Sequence, residues 1–160
     1  LASQNETPSH LLNAVLEANE AQISKAEAMI KKSGAKKVGF IGISFKPGTD
    51  DLRESPLVSL AARLIDNGIE VDIYDPFVKE AYDSGTPGAG RGNESVPNLE
   101  SRLVGDLDQL INDSGAVLVG NYYNETVDKL KAAAKTQTVV DLTRLHRDMV
   151  SGENYEGICW

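Results

Sequence analysis

Cysteine is nearly absent from the sequence, since Cys159 is the single thiol among 160 residues. An internal disulfide is therefore impossible, which excludes a stapled extracellular module and makes the cytoplasm the expected compartment. Neither a helix start nor a basic neighbour is predicted beside Cys159, so we do not expect its thiol to act as a nucleophile.

Long apolar runs and basic clusters are also missing. No stretch approaches the roughly 20 apolar residues of a membrane helix, and residues 1–6 lack the basic and apolar regions of a signal peptide. The formal net charge is −8, so neither a nucleic acid nor a membrane is an expected partner. His10 and His146 lie far apart without suitably spaced ligands, and we expect no metal site.

What is present is typical of a folded α/β protein. Apolar residues from Ser9 to about Lys32 follow helical spacing, which predicts a long amphipathic helix that ends at Ser33-Gly34. Asn19 interrupts the apolar stripe, and the sequence alone assigns it no role. From Lys37 onward, short apolar runs alternate with amphipathic segments, as in a parallel sheet with helical crossovers.

The predicted strands cover residues 38–43, 69–74, 102–104, 116–119 and 138–142, with 102–104 the weakest. Helices are predicted after Ser55, after Asp106 and from about Thr126. Residues 75–95 are predicted to form a Gly- and Pro-rich loop, and the tail after Arg144 shows no assignable pattern. The expected fold is a Rossmann-like, three-layer α/β domain with a five-stranded, mainly parallel sheet, preceded by the long helix.

Ligands of such folds bind beyond the carboxyl ends of the strands, so residues 44–55 and the Gly120-Asn121 pair are the first candidates. A carboxylate at the end of the second strand, Asp72 or Asp75, could hold a ribose hydroxyl. The simpler interpretation is that Asp75-Pro76 begins a turn.

The loop after the first strand, residues 45–56, reads FKPGTDDLRESP. It lacks the glycines of a dinucleotide fingerprint and the Gly-Lys-Ser/Thr of a Walker loop. It does place two cations, Lys46 and Arg53, before a helix start whose free N–H groups favour an anion, which predicts a phosphate-bearing ligand. The alternative is that both cations pair with nearby acids as solvated surface ions, and the residues alone leave both interpretations open. Those acids are Asp50, Asp51 and Glu54.

The stretch from Gly42 to Pro56 closely resembles the signature that opens the carboxyl-terminal domain of the UDP-glucose/GDP-mannose dehydrogenases. The preceding long helix, the Tyr-Asp-Pro at the end of the second strand and the Val-Asp-Leu at residues 140–142 agree with that resemblance. The ending EGICW, residues 156–160, is similar to the branch that acts on GDP-mannose. The resemblance covers nearly the whole chain and is weakest over residues 83–93.

This resemblance implies an NAD-dependent enzyme that oxidises a nucleotide sugar to its carboxylate by two hydride transfers, through a thiohemiacetal and a thioester on cysteine. For the GDP-mannose branch the product would be GDP-mannuronate, a precursor of an alginate-type exopolysaccharide. In the family, the NAD-binding domain and a Gly-Gly-Ser-Cys loop lie upstream of the long helix. Neither motif occurs in this sequence, so the chain alone is expected to be inactive, with no catalytic residue of its own.

Matched by position, Lys46 corresponds to the family lysine that contacts the sugar nucleotide, and Arg53 to the arginine that reaches NAD held by the other domain. Cys159 does not match the family nucleophile. Residues 1–34 resemble a connecting helix on which subunits pair, which implies a homodimer. Residues 35–160 resemble the nucleotide-sugar-binding domain of the family. Two alternatives stay open, the same domain of a UDP-sugar 6-dehydrogenase and a stand-alone flavodoxin-like nucleotide-binding module without chemistry.

Overall fold

The chain is represented by a computed structural model that describes residues 10–86 and 96–158. A 3-10 turn over Asn124–Thr126 leads into the last helix. In chain order the elements are α1 (His10–Ser33), β1 (Lys37–Ile41), α2 (Pro56–Asp66), β2 (Glu70–Tyr74), α3 (Pro76–Asp83), α4 (Leu99–Arg102), α5 (Leu107–Asp113), β3 (Ala116–Val119), α6 (Val127–Ala133), β4 (Thr138–Asp141) and β5 (Tyr155–Gly157).

The five strands form one sheet in the order β2-β1-β3-β4-β5, and every neighbouring pair is parallel. On one face Phe40 and Leu118 pack with the apolar residues of α1 and α2. On the other face Ile41 and Val119 pack with those of α5 and α6. Successive side chains of a strand point to opposite faces of the sheet, and in this protein helices cover both faces. The predicted three-layer parallel α/β fold is confirmed.

One predicted strand is wrong, and another strand was not predicted. Residues 102–104 are not a strand, because α4 ends at Arg102 and Leu103 makes only a single parallel bridge to Ile73. The fifth strand is β5, in the tail without an assigned pattern. A three-residue edge strand buries too little surface to produce a recognisable apolar run, which explains why it escaped prediction.

Part of the predicted loop at 75–95 is also helical. Helix α3 begins directly after β2 because Asp75 caps it and Pro76 occupies its first turn, two residues that favour a helix start as well as a turn. The rest of the Gly-rich stretch, residues 87–95, lies outside the described residues, as does Cys159.

Helix α1 has a packed half and a projecting half. Its 24 residues extend about 36 Å. Ala26 and Ile30 are buried in the core shared with α2, whereas Val15 and Leu16 are 49% and 66% exposed. The packed half also holds the tail, since the Lys25 ammonium donates to the carbonyl of Ile158.

Within residues 10–86 and 96–158, no helix is both long and apolar enough to span a membrane. The same residues contain no group of three or more His, Cys, Asp and Glu side chains arranged to hold a metal ion.

Candidate functional site

The turns that follow the central strands meet at the carboxyl edge of the sheet. After β1 the chain turns at Gly42, whose φ is +79° and whose N–H donates to the Tyr74 carbonyl at 2.8 Å. After β3 the N–H groups of Gly120 and Asn121 both donate to the Ile41 carbonyl, at 2.9 and 3.0 Å. These bonds fix the three turns relative to one another.

Asp75, at the end of β2, is a buried anchor for this edge. One carboxylate oxygen accepts the N–H groups of Ile43 and Ser44 at 3.0 and 3.1 Å. The other accepts the N–H of Val78 at 3.3 Å and so caps α3. Because both oxygens are used by the backbone and the side chain has no solvent exposure, Asp75 shapes the loop rather than meeting a ribose. Asp72, the other candidate, pairs with Lys37 at 2.8 Å.

The loop that carries the sequence motif is held from below by Asn121. Its side-chain amide donates to the carbonyl and the hydroxyl of Ser44, both at 3.0 Å. The Ser44 hydroxyl donates in turn to the Lys46 carbonyl at 3.0 Å, and the Thr49 hydroxyl reaches that same carbonyl at 3.0 Å. The backbone of Lys46 is therefore fixed while its side chain lies at the surface.

The Lys46 ammonium lies 6.0 Å from the centre of the Phe45 ring, at the outer limit of a cation–π contact. Among the described residues, no carboxylate comes within salt-bridge distance of it. The surface-ion-pair alternative therefore does not describe Lys46, whose charge is available to a ligand.

Arg53 behaves differently, because it forms a two-pronged pair with Asp51. Its Nε and Nη2 donate to the two carboxylate oxygens at 2.9 and 2.6 Å, and this hydrogen bonding raises the pKa of Arg53. The surface-ion-pair alternative does describe this residue. The Arg53 side chain is nevertheless 63% exposed, so the guanidinium is accessible to an anion from outside the domain.

Local sequence explains how this loop is held. Leu52 is fully buried and pins the middle of the loop to the core, and Glu54 has a φ of +56°, a conformation that costs a non-glycine residue about 1–2 kcal/mol. Ser55 then caps α2 by accepting the N–H of Leu57 at 3.3 Å, and its hydroxyl donates to the Ile43 carbonyl at 2.8 Å.

A cavity of about 500 Å³ opens beside this loop. It lies between α1, the amino-terminal end of α2 and the turns after β1 and β3. Phe45 and Asn121 contribute to its wall, and Leu57 and Leu60 to its apolar floor. The loop cations and the cavity therefore share one edge of the sheet, as expected for a ligand site of this fold.

Tyr123, two residues after Asn121, is a buried neighbour of this edge that the sequence did not single out. It is 7% exposed, its ring meets the edge of Tyr74 at a centroid distance of 6.4 Å, and its hydroxyl has no hydrogen-bond partner among the described residues. Burial raises the pKa of Tyr123, and the negative charge of Asp75 acts in the same direction. In the sequence, the turn after β3 is marked as a candidate site by the polar residues that directly follow a buried strand.

The first turn of the sheet does not form a cradle for a dinucleotide. A Cβ atom added to Gly42 would lie 2.3 Å from the Cβ of Asn121, so the space above the turn is filled by this chain's own side chain. Arg53 fits NAD only as an outward-facing donor to a cofactor diphosphate held mainly by other residues.

Comparison with known proteins identifies relatives over most of the chain. A family model described as "UDP-glucose/GDP-mannose dehydrogenase family, UDP binding domain" matches residues 39–148. GDP-mannose 6-dehydrogenase of Azotobacter vinelandii is 37% identical over 150 residues, which are 94% of this chain and 34% of the relative. UDP-glucose 6-dehydrogenase of Rhizobium meliloti is 27% identical over 157 residues, 91% of this chain and 33% of the relative. The chain thus spans about a third of the length of these relatives.

A ternary complex of GDP-mannose dehydrogenase from Pseudomonas aeruginosa matches this fold with a TM-score of 0.84 and 35% identity. The match covers 99% of this chain and 36% of that structure. UDP-glucose dehydrogenase from Pyrobaculum islandicum matches with a TM-score of 0.73 and 25% identity, over 99% of this chain and 34% of that structure.

Proposed function

Since the chain belongs to the UDP-glucose/GDP-mannose dehydrogenase family and matches its UDP binding domain, we propose that it binds the nucleotide sugar in an NAD-dependent dehydrogenase that oxidises GDP-mannose to GDP-mannuronate. The observation that carries GDP-mannose as the substrate is the greater similarity to GDP-mannose enzymes than to UDP-glucose enzymes over the same part of the chain. The product would supply an alginate-type exopolysaccharide, and the reaction belongs in the cytoplasm.

The reaction takes a primary alcohol to a carboxylate, with one water consumed, two hydrides removed and three protons released. NAD, when bound, supplies the hydride acceptor in both oxidations. The thiol that would form the thioester is not among the residues assigned to this site. This chain would contribute binding and orientation, because its loop presents two surface cations, Lys46 and Arg53.

Lys46 is assigned to the nucleotide sugar. Its ammonium is unpaired among the described residues and its backbone is fixed by Ser44 and Thr49, so a diphosphate or sugar oxygen gains a charge-assisted hydrogen bond with little loop ordering. The net charge of the chain is −8. An anionic ligand therefore depends on a local cation of this kind.

Arg53 is assigned to NAD. Its guanidinium is exposed and already oriented by Asp51, which leaves N–H groups for a diphosphate on the solvent side. The cofactor would be held mainly by an amino-terminal domain preceding α1, and Arg53 would reach it from this domain.

Helix α1 is assigned to subunit pairing, with residues 1–34 as the connecting helix and residues 35–160 as the nucleotide-sugar-binding domain. Val15 and Leu16 on its projecting half expose apolar surface that a second copy would cover. Light scattering of the full-length gene product should give twice the protomer mass. The Leu16→Glu variant should dissociate, whereas Glu17→Gln at the neighbouring exposed position should leave the dimer intact.

The test of the function is a turnover assay of the full-length gene product with NAD and a panel of nucleotide sugars. GDP-mannose should yield two NADH per molecule at the highest kcat/KM of the panel, and the 160-residue chain alone should yield none. A preference for a UDP-sugar would favour the alternative that the "UDP binding domain" description of the family supports. Nucleotide binding without NADH from the full-length product would favour a module without chemistry.

A further inference from the structure

A strap of the chain, residues 142–158, continues from β4 through β5 and ends against α1. Parallel neighbouring strands are usually joined by a crossover helix, but residues 142–154 contain neither a helix nor a strand. A segment with so few regular backbone hydrogen bonds opens locally more readily than the core of its domain. The position of the strap therefore depends on a small number of specific contacts.

Asp141, at the end of β4, holds both ends of the strap. Its side chain has no solvent exposure, and one carboxylate oxygen accepts the N–H and the hydroxyl of Thr143 at 2.8 and 3.0 Å. The other oxygen accepts the N–H of Leu145 at 2.6 Å and the hydroxyl of Tyr155. The backbone carbonyl of Asp141 accepts the N–H of Ile158 at 3.1 Å. One buried residue thus fixes the first turn and the last residues of the strap.

The strap forms part of the wall of the cavity beside the motif loop, because Leu142 and Ile158 both line that cavity. Ile158 is 7% exposed and belongs to the core that α1 and α2 share. Its carbonyl accepts the Lys25 ammonium of α1. Two turns further along the same helix, Lys32 pairs with Glu156 at 3.2 Å. The wall that α1 contributes and the wall that the strap contributes are therefore bound to each other.

We propose that Asp141 is a positioning residue for the nucleotide-sugar site and acts by closing the strap against α1, an inference that rests on the proposed function. Asp141 does not meet the ligand itself, because it is buried and its oxygens accept hydrogen bonds from the strap. Closure completes the cavity wall, so the closed form binds the ligand more tightly than the open form. By reciprocity, the ligand stabilises the closed strap by the same factor.

The experiment begins with hydrogen–deuterium exchange of the full-length gene product, followed by mass spectrometry, without GDP-mannose and with GDP-mannose at about a hundred times its Kd. Exchange in residues 142–158 should slow at least about tenfold, because their amides exchange through an open form that binds the ligand weakly. Residues 132–137 precede β4 at the opposite edge of the sheet and should exchange at the same rate in both samples. Their unchanged rate would exclude a general stabilisation of the domain.

Asp141→Ala tests the same coupling from the other direction. It should raise the KM for GDP-mannose about tenfold and leave kcat and the KM for NAD unchanged, because closure acts on the nucleotide-sugar site alone. Tyr155→Phe keeps the carboxylate and removes one of its partners, so exchange in the strap should become about ten- to a hundredfold faster. Asp106→Ala removes a carboxylate that caps α5 by accepting two backbone N–H groups, and it should change neither strap exchange nor either KM.

Failure of this inference and failure of the proposed function give different results. If the full-length gene product does not bind GDP-mannose, the proposed function fails. If GDP-mannose binds but does not slow exchange in the strap, the strap is not coupled to the site and the inference is refuted. The same conclusion follows if Asp141→Ala speeds strap exchange and retains the wild-type KM for GDP-mannose. Should Asp141→Ala fail to fold, the exchange of the wild type with and without GDP-mannose decides.

Discussion

The side-chain amide of Asn121 donates to both the carbonyl and the hydroxyl oxygen of Ser44, each at 3.0 Å, across 77 residues of sequence. Both residues are buried, and the Ser44 hydroxyl continues the chain of hydrogen bonds to the Lys46 carbonyl. The turn after β3 thereby helps to fix the backbone of Lys46, the lysine assigned above to the nucleotide sugar. We infer that Asn121 is a positioning residue that acts through Lys46.

Asn121→Ala should weaken sugar-nucleotide binding about tenfold, because the loop loses the bonds that order it. The double variant with Lys46→Ala should bind no more weakly than Lys46→Ala alone, which a double-mutant cycle measured by calorimetry would show. Fully additive losses would mean that Asn121 affects binding by another route. The free energy of unfolding should also fall by about 1–3 kcal/mol, since buried polar atoms of Ser44 lose their partner.

Gly42 can be tested against a glycine with the same backbone conformation. Gly42 and Gly34 have φ angles of +79° and +72°, but an added Cβ would lie 2.3 Å from Asn121 at Gly42 and would meet nothing within 4 Å at Gly34. Gly34→Ala should cost about 1–2 kcal/mol of backbone strain. Gly42→Ala should cost at least about 1–3 kcal/mol more, because a packed neighbour must move. Urea unfolding of both variants measures the difference, and equal losses would contradict the close packing.

The sequence predicted the sheet well where strands are buried on both sides. Val38, Phe40 and Ile41 belong to one apolar run because helices cover both faces of β1. Such a run can be recognised in the sequence without knowing which strands pair with it. Strand β5 could not be found in this way, since in the described part of the chain it pairs with β4 alone, over three residues. Its place depends on Tyr155, whose hydroxyl donates to the buried Asp141.

The candidate site could be located but not assembled from sequence. Lys46 and Arg53 were identified from the motif, yet only the structure shows that Arg53 is paired with Asp51 and that Lys46 is not paired among the described residues. Likewise, Tyr122 is 43% exposed and Tyr123 is 7% exposed. Which of the two adjacent tyrosines is buried depends on the path of the turn after β3, and the local sequence pattern does not predict that path.

Tyr123→Phe should leave stability nearly unchanged at neutral pH and make the protein more stable than the wild type at high pH. Burial and the charge of Asp75 raise the folded-state pKa of Tyr123. Below the unfolded tyrosine pKa of about 10 its titration does not affect the free energy of unfolding, and as the pH rises above that value the wild type loses stability. At pH 7 the variant should be as stable as the wild type or slightly more so, because the removed hydroxyl has no partner among the described residues.

Near pH 11 the wild type should lose up to about 1.4 kcal/mol per pH unit more than Tyr123→Phe, as measured by urea unfolding. The pKa values of Tyr74 and Lys37 are raised as well, but both residues are present in both proteins and their effects cancel in the comparison. Tyr122→Phe, at a 43% exposed position, should keep the alkaline slope of the wild type. Identical slopes for all three proteins would show that Tyr123 titrates normally.

Lys46→Ala and Arg53→Ala should produce different kinetic defects in the full-length enzyme, since one side chain is assigned to the nucleotide sugar and the other to NAD. Loss of a charge-assisted contact weakens binding roughly ten- to a hundredfold. Lys46→Ala should therefore raise the KM for GDP-mannose, or lower kcat if the cation also stabilises charge at the reacting end, and Arg53→Ala should raise the KM for NAD.

Lys36→Ala and Arg147→Ala remove the same charges from other exposed positions and should leave both KM values unchanged. Because Lys46 and Arg53 lie on the surface, both variants should unfold like the wild type. If both are folded and retain wild-type kinetics, the assignment of this loop to ligand binding fails, and Arg53 with Asp51 is a solvated ion pair without a role in binding.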